Sequence, residues 1–313
     1  MEISLIVPCF NEEDNIFAFF AETEKVFSKI NKSYQYVFIN DGSTDETKKK
    51  LEELFEQNPQ NNIVVVNFSR NFGKESAIFA GLKNCTGDNI CIIDADLQQR
   101  PEVALDMYNI LTSDNEFDCV CAYQGNRKES KAMSFVKSTF YKTINGLAET
   151  EFKDGASDFR FFKKKVRDAM LEMGEYHRFS KGIFSWVGFK TYYMPYEVEE
   201  RNAGTSKWSP VKLLKYALNG IIAFSTIPLK ISTYIGGLSV VFSFIYLVVT
   251  ILRKIFSNIN VDGFTQIVLL ITFFSGVLLL TIGIIGEYIA RIYQQVKNRP
   301  IYIVDEVWKR DER

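Results

Sequence analysis

The sequence predicts an α/β protein with a mainly parallel sheet, followed by helices that cross a membrane. Strand and helix patterns alternate through residues 1–125, which is typical of a parallel sheet covered on both faces. Residues 231–252 and 263–286 are apolar stretches without a single charge. Each is as long as the ~20 residues that a helix needs to cross ~30 Å of hydrocarbon. We therefore expect one α/β domain and a two-helix membrane domain.

The N-terminal part contains five apolar runs, rich in β-branched and aromatic residues, that predict strands. They are ISLIVPC (3–9), YQYVFIND (34–41), NIVVVNFS (62–69), the run that ends at Asp94, and FDCVCAY (117–123).

Helix signals separate these strands. Asn11 is expected to cap a helix with an acidic first turn, and Ser43 with Glu46 reads as a capping box that opens the second helix. Residues 75–84 are helical in pattern, and Pro101 is expected to open another helix.

The pattern is less regular after residue 125. Helices are expected near residues 130–146 and 164–173, and a strand at 189–198. Residues 206–225 separate apolar from basic side chains, which predicts an amphipathic helix in the membrane surface. A bundle helix that faces the α/β domain is the alternative.

These observations divide the chain into four parts. We expect an α/β domain at 1–205, an interfacial helix region at 206–229, a two-helix transmembrane domain at 230–290 and a C-terminal tail at 291–313.

Charge placement predicts the orientation in the membrane. Basic residues flank the two spans on the outer sides, at Lys212, Lys215, Lys230, Arg291, Lys297 and Arg299, whereas the connecting loop offers only Arg253 and Lys254. The positive-inside rule therefore places both termini and the α/β domain in the cytoplasm of a multi-pass protein of the cell membrane.

Overall composition excludes some classes of function. The chain has 37 basic and 38 acidic residues, so no global field favours nucleic acid. The five cysteines show no metal-binding spacing, and we expect reduced, buried thiols.

Two carboxylates follow the fourth strand. Asp94 and Asp96 lie at the end of the run NICIIDADLQ (89–98), where open α/β sheets bind ligands. Paired carboxylates suit Mg²⁺ or Mn²⁺, which keep positions for diphosphate oxygens. The alternative is that the second Asp only caps the following turn.

Two other segments at strand ends carry polar groups. Asp41 in NDGSTD (40–45) can bind a nucleobase or ribose, with a simple capping turn as the alternative. RNFGKE (70–75) either faces a phosphate through Arg70 and Lys74 or packs the next helix. His177, the only histidine, is interpreted as structural.

With these motifs, the chain resembles family 2 glycosyltransferases, which have a GT-A fold, and in particular the polyprenyl-phosphate glycosyltransferases. The resemblance is carried by IVPCFNEEDNI, FINDGSTDET, FSRNFGKESAIFAGL, IIDADLQ, the Arg127 region, GASDFRFF, HRFSKGIFSWVGF and ERNAGTSKWS. One departure is QQRP (98–101), where family members often have Q-D-P-P, and this puts the local role of Arg100 in question.

The resemblance implies roles for individual residues. Pro8, Phe10, Glu12, Asp41, Asp94, Gln98 and Arg127 would bind the nucleotide sugar; Asp94 and Asp96 would bind the metal; Asp158 and Asp96 would be catalytic; and Arg201, Lys207 and Arg127 would contact the acceptor phosphate. Three alternatives remain open: whether Asp158 is a catalytic base or an orienting group, Asp158 as a salt-bridge partner of Arg160, and Lys207 as a lipid-headgroup contact.

The function implied is transfer of a sugar, glucose or N-acetylglucosamine, from a nucleotide sugar such as a UDP-sugar to undecaprenyl phosphate, with inversion at the sugar. Homo-oligomers are compatible with this function. A processive polysaccharide synthase would carry Q-x-x-R-W and more spans, which this sequence lacks. A non-catalytic lipid-carrier binding or scaffold protein of the same fold is the alternative from a different class.

Overall fold

The computed structural model describes residues 1–113, 116–124, 156–196, 227–257 and 263–310. The chain forms two compact units, Met1–Gly220 with Arg299–Arg313, and Ile221–Asn298. The expected helices at 130–146 and 206–225 lie outside the described residues.

The first unit is built on an eight-stranded sheet in the order β7-β5-β6-β4-β1-β2-β3-β8. Its strands are β1 (Ile3–Cys9), β2 (Tyr34–Asn40), β3 (Asn62–Phe68), β4 (Asn89–Ile92), β5 (Cys119–Gln124), β6 (Ala156–Lys163), β7 (Thr191–Tyr196) and β8 (Val304–Trp308).

Four of the seven strand pairings are parallel: β1 with β2, β1 with β4, β2 with β3, and β5 with β7. This confirms the mainly parallel sheet. Two strands that the sequence did not predict run antiparallel. β6 lies between β4 and β5, and β8 joins the edge of the sheet beside β3.

Six helices accompany the strands in the described residues of the first unit. They are α1 (Ile16–Phe27), α2 (Thr47–Gln57), α3 (Lys74–Asn84), α4 (Pro101–Ser113), α5 (Lys164–Glu172) and α6 (Ser180–Trp186). α3, α4 and α5 match the predicted positions closely; α6 was not predicted.

Two predicted helix caps are wrong. α1 begins at Ile16 rather than after Asn11, because Asn11 adopts a left-handed conformation with φ 55°. α2 begins at Thr47 without a capping box, since Asp45 Oδ1 accepts from Thr47 N at 3.0 Å instead.

The central strands are buried on both faces, as their continuous apolar runs predict. Tyr36 and Phe38 of β2 stack with ring centroids 5.9 Å apart, and Phe19 of α1 meets Phe38 edge-on. All five cysteines are buried and none of them forms a disulfide, so the prediction for the thiols is confirmed.

The second unit contains two long helices, α7 (Ile227–Ser257) and α8 (Phe264–Val296). Segments Ile227–Leu252 and Gln266–Val296 are long and apolar enough to cross a membrane, and their apolar side chains are not buried by protein. At a rise of 1.5 Å per residue, about 20 helical residues cover the hydrocarbon layer. Tyr246 Oη donates to Gln266 Oε1 at 3.0 Å between the two helices.

Candidate active site at the carboxyl edge of the sheet

The loops after β1 and β2 are held together by hydrogen bonds. Asn11 N donates to Ser43 Oγ at 3.0 Å, and Thr44 N donates to Asn11 Oδ1 at 2.9 Å. Glu12 N donates to Thr47 Oγ1 at 2.8 Å. These bonds explain why Asn11 leaves the helical conformation, and they fix the segment on which the predicted nucleotide-binding residues lie.

Pro8, Phe10 and Glu12 are partly buried along that segment. Glu12 Oε2 accepts from Asn15 Nδ2 at 2.7 Å. Their positions at the carboxyl end of β1 agree with a ligand-binding edge, and their assignment to the nucleotide stays a prediction.

Asp41 is buried and faces the turn before α3. Its Oδ1 accepts from Phe72 N at 2.7 Å, and its Oδ2 accepts from Gly73 N at 2.9 Å and from Asn71 Nδ2 at 3.0 Å. Burial raises the pKa of Asp41 to about 6 against the lowering effect of these backbone donors. Asp41 therefore ties the second strand end to the RNFGKE turn; its predicted contact with a nucleobase or ribose stays a prediction.

Gly42 permits this close approach. Its φ is +61°, and a Cβ at this position would lie 2.1 Å from the carbonyl carbon of Arg70. Only glycine fits a site that combines a left-handed conformation with backbone contact.

The segment after β4 presents the two predicted metal ligands. Asp94 is fixed by Gln99, which accepts from Asp94 N at 2.8 Å and donates to Asp94 Oδ2 at 3.0 Å. Asp96 Oδ1 accepts from Gln98 N at 3.2 Å, so Asp96 does cap the turn, as the alternative expected. Leu97 has a φ of 59°, a strained conformation of the kind found at binding sites.

Lys74, the first residue of α3, faces these carboxylates. Its Nζ lies 2.7 Å from Asp94 Oδ1 and 3.7 Å from Asp158 Oδ2. Burial lowers the pKa of Lys74, but Asp94 and Asp158 outweigh it and raise the pKa above the ordinary value. Arg70 turns elsewhere, with its guanidinium over the Phe72 ring. The RNFGKE segment thus both packs the turn and directs one cation to the strand ends.

Asp158 lies on β6, which the pairing of Ile92 with Arg160 aligns beside β4. Burial raises the pKa of Asp158, but Lys181, Lys74 and Arg160 together hold it below the usual range. Its Oδ1 is buried and has no hydrogen-bond donor in the described part of the chain.

The alternative partner of Asp158 is engaged elsewhere. Arg160 Nε donates to the carbonyl of Ser157 at 3.1 Å, and its guanidinium lies over the Phe184 ring. Within the described part of the chain, the ion pair of Asp158 is therefore with Lys74, at 3.7 Å.

Glu75 is a site residue that the sequence did not single out. Its Oε2 accepts from Ser180 N at 2.8 Å and from Ser180 Oγ. Burial and the nearby Asp158 raise the pKa of Glu75 to about 7. These hydrogen bonds fix the start of α6, so that Lys181 comes next to Asp158. In the sequence, the only indication that Glu75 belongs to the site was its position directly after Lys74.

The remaining predicted residues are either exposed or outside the described part of the chain. His177 is exposed and meets the Tyr176 ring edge-on, and Arg100 is exposed. Arg127, Arg201 and Lys207 lie outside the described residues, so the structure neither supports nor opposes their phosphate-binding roles.

A divalent cation would find a pair of carboxylates at this edge rather than a full set of protein ligands. Among the described residues, no three His, Cys, Asp or Glu side chains converge. Asp94 and Asp96 still supply hard oxygen ligands at one strand end, which fits a cation that keeps several positions for water and phosphate oxygens.

Comparison with protein families gives two matches. Residues 4–171 match the profile described as glycosyl transferase family 2. Residues 227–292 match the profile described as the GtrB C-terminal hairpin.

Similar proteins cover almost the whole chain. An uncharacterized glycosyltransferase of Synechocystis is 37% identical over 98% of this chain and 96% of its own length. A prophage bactoprenol glucosyl transferase homolog of Escherichia coli is 40% identical over 99% and 100%. The bactoprenol glucosyl transferase of Shigella phage SfII is 39% identical over 97% of each chain.

Proposed function

The chain belongs to glycosyl transferase family 2, and on that premise we propose that it transfers a sugar from a nucleotide sugar to a polyprenyl phosphate at a membrane. The observation that carries the proposal is the cluster of Lys74, Asp94 and Asp158 at the carboxyl edge of the sheet. Relatives named for bactoprenol glucosylation match over nearly their whole length, including the two apolar helices.

The donor would bind over the ends of β1, β2 and β4. Pro8, Phe10, Glu12 and Asp41 lie at the first two ends, and Gln98 lies beyond the third. We assign a UDP-sugar, with glucose or N-acetylglucosamine as the sugar; the names of the relatives favour glucose.

Asp94 and Asp96 would hold Mg²⁺ or Mn²⁺. Such a cation supplies positive charge that neutralises a diphosphate leaving group. Lys74 provides a further positive charge 2.7 Å from Asp94, within reach of the position that the donor phosphates would take.

The acceptor is a lipid phosphate, which is anionic near neutral pH and needs little activation as a nucleophile. Its oxygen would attack the anomeric carbon of the sugar as the bond from that carbon to the diphosphate breaks, which inverts the configuration. Arg127, Arg201 and Lys207 are proposed to bind this phosphate by charge-assisted hydrogen bonds.

Asp158 is proposed to position groups rather than to remove a proton. Its neighbouring cations keep its pKa below the usual range, and a carboxylate with a low pKa is a poor base at neutral pH. It can instead hold Lys74 and Lys181 where the two phosphate-bearing molecules meet.

We place both termini and the α/β domain in the cytoplasm, with residues 206–225 on the membrane surface, because basic residues flank the outer sides of the two spans. A multi-pass anchor would keep the protein at the membrane that contains the lipid phosphate.

The test is a screen of radiolabelled nucleotide sugars with the purified full chain, undecaprenyl phosphate and Mg²⁺ or Mn²⁺. We expect label in the organic phase with one UDP-sugar, and none with Asp96→Asn or with chelator. A chain that binds the lipid phosphate but labels it with none of the sugars would instead be a scaffold or carrier-binding protein.

A further inference from the structure

Lys74 lies between two carboxylates of the site. Its Nζ is 2.7 Å from Asp94 Oδ1, 2.9 Å from Asp94 Oδ2 and 3.7 Å from Asp158 Oδ2. The Lys74 side chain is 40% exposed and that of Asp94 is 29% exposed, so ions and ligands can reach both. In this arrangement the charge of Asp94 is already neutralised by the protein itself.

A divalent cation at Asp94 would have to share that carboxylate with the ammonium. Two cations on one carboxylate repel each other strongly in a partly buried site. We propose that Lys74 is a displaceable counter-ion, which neutralises Asp94 until a divalent cation arrives and then moves toward Asp158 and the donor diphosphate. This inference rests on the proposed function. It adds that Lys74 couples the binding of the metal to the binding of the nucleotide.

The surroundings favour movement of the lysine rather than of the aspartate. Asp94 is held by two hydrogen bonds with Gln99, at 2.8 and 3.0 Å. Lysine has a flexible four-carbon stem and rotatable donors. The mobile partner in this ion pair is therefore the ammonium.

Asp158 offers the ammonium a second position. Its Oδ2 is already 3.7 Å from Lys74 Nζ. Its Oδ1 is buried and has no donor from the parts of the chain that the structure describes, so it can accept a further hydrogen bond. Since a donor diphosphate also attracts the ammonium, nucleotide and metal should strengthen each other's binding.

The experiment measures Mn²⁺ binding to the full chain in lipid nanodiscs by electron paramagnetic resonance, with and without UDP. Without UDP, we expect Lys74→Met to bind Mn²⁺ about tenfold more tightly than the unaltered chain, because the competing charge is gone. UDP should tighten Mn²⁺ binding much more in the unaltered chain than in this variant. Lys74→Arg retains the charge and should bind Mn²⁺ as weakly as the unaltered chain.

Lys83→Met is the matched control. Lys83 is on the same helix, but its ammonium lies over the rings of Phe79 and Tyr302, so the same loss of charge should leave the Kd for Mn²⁺ within about twofold. Lys74→Gln provides a second neutral variant if Lys74→Met fails to fold.

Equal or weaker Mn²⁺ binding by the folded neutral variants without UDP would overturn the inference, as would the absence of Mn²⁺ binding in every protein. The titration does not require sugar transfer. If Lys74→Met binds Mn²⁺ more tightly but the unaltered chain transfers no sugar, the proposed function alone is refuted. If the unaltered chain transfers sugar but Lys74→Met binds Mn²⁺ no more tightly, this inference alone is refuted.

Discussion

At the residue scale, Asp158 is the carboxylate whose surroundings say most about its task. It lies 3.7 Å from the ammonium of Lys74, next to Lys181 and beside the raised-pKa acid Glu75. Pairs of acids whose surroundings separate their pKa values are common at functional sites. Here the ionised member is Asp158, and Glu75 is the one that stays closer to its neutral form.

Replacing Asp158 with Asn should therefore act on turnover. We expect kcat to fall about ten- to a hundredfold, the cost of losing a charge-assisted contact, with the KM values for both substrates within about twofold. Asp168→Asn is the control, because Asp168 is exposed and pairs with Arg167 away from the site. A KM for the lipid phosphate that rises while kcat holds would show that Asp158 only binds substrate.

Asp41 predicts a pH dependence of stability. Burial raises the pKa of Asp41 in the folded chain to about 6, above the ordinary value of 3.8, so the folded state holds the proton more tightly. This contribution to stability is complete below about pH 4 and is lost as the pH rises through about 6. A shift of two pKa units corresponds to about 3 kcal/mol in the free energy of unfolding.

Asp41→Asn removes that titration. Relative to the unaltered chain, the variant should lose least stability at pH 7.5 and most at pH 4.5, measured by denaturant unfolding at both values. A difference between the two proteins that does not change with pH would contradict the raised pKa. Asp45→Asn, at a partly buried capping position of the same loop, controls for loss of a nearby charge.

The sequence predicted the residues at strand ends, but not how they contact one another. Asp94 and Asp96 could be placed because an apolar run ends just before them. Lys74 was left between two roles, and Glu75 was not considered. Their contacts depend on where α3 begins relative to β4 and α6, a tertiary relation that no local pattern in the sequence records.

At the element scale, the sequence predicted the strands that are apolar runs and missed β6 and β8, which are not continuous apolar runs. β6 reads ASDFRFFK, with charges within the strand, and it is strand because its backbone pairs on both sides with β4 and β5. β8 reads VDEVW and is largely exposed. Both are defined by their neighbours in the sheet, so propensity alone could not identify them.

The segment that contains β8 follows α8 in the sequence and belongs to the first unit. Tyr302 stacks on Phe68 with ring centroids 4.8 Å apart, and Ser69 N donates to the carbonyl of Ile303 at 3.1 Å. Arg310 donates to the carbonyls of Phe55 and Asn58. We call residues 301–310 the C-terminal strap. It covers the edge of β3 next to the RNFGKE turn.

Tyr302→Ala should destabilise the α/β domain by about 1–3 kcal/mol, because it removes a half-buried ring and the stacking contact of that ring with Phe68. Tyr302→Phe keeps the ring and should stay within about 0.5 kcal/mol. Denaturant unfolding followed by near-ultraviolet circular dichroism measures both. Equal stability of the two variants would show that the C-terminal strap does not hold the domain.

At the scale of the whole molecule, the order of the sheet domain and the two long helices was predictable from the sequence. The length of the apolar stretches and their lack of charge decide where such helices occur. The two apolar helices occur where the uncharged stretches are. Their orientation in a membrane is a prediction from the flanking charges alone.

Single cysteines can test the orientation, since all five native cysteines are buried. Cysteine in place of Asn258, which lies between α7 and α8 in the sequence, should react with an impermeant thiol reagent from outside intact cells. Cysteine in place of the exposed Arg299 should react only after permeabilisation. The unaltered chain gives the background, and labelling of position 299 from outside would reverse the proposed placement.

The central claim is that a sugar, and not a sugar phosphate, moves from a nucleotide to a lipid phosphate. The most direct measurement incubates the purified chain with UDP-glucose, undecaprenyl phosphate and Mn²⁺ and identifies both products by mass spectrometry. The account predicts a lipid that has gained one hexosyl group on its phosphate, together with an equal amount of UDP. Release of UMP, or release of UDP without a glycosylated lipid, would contradict it.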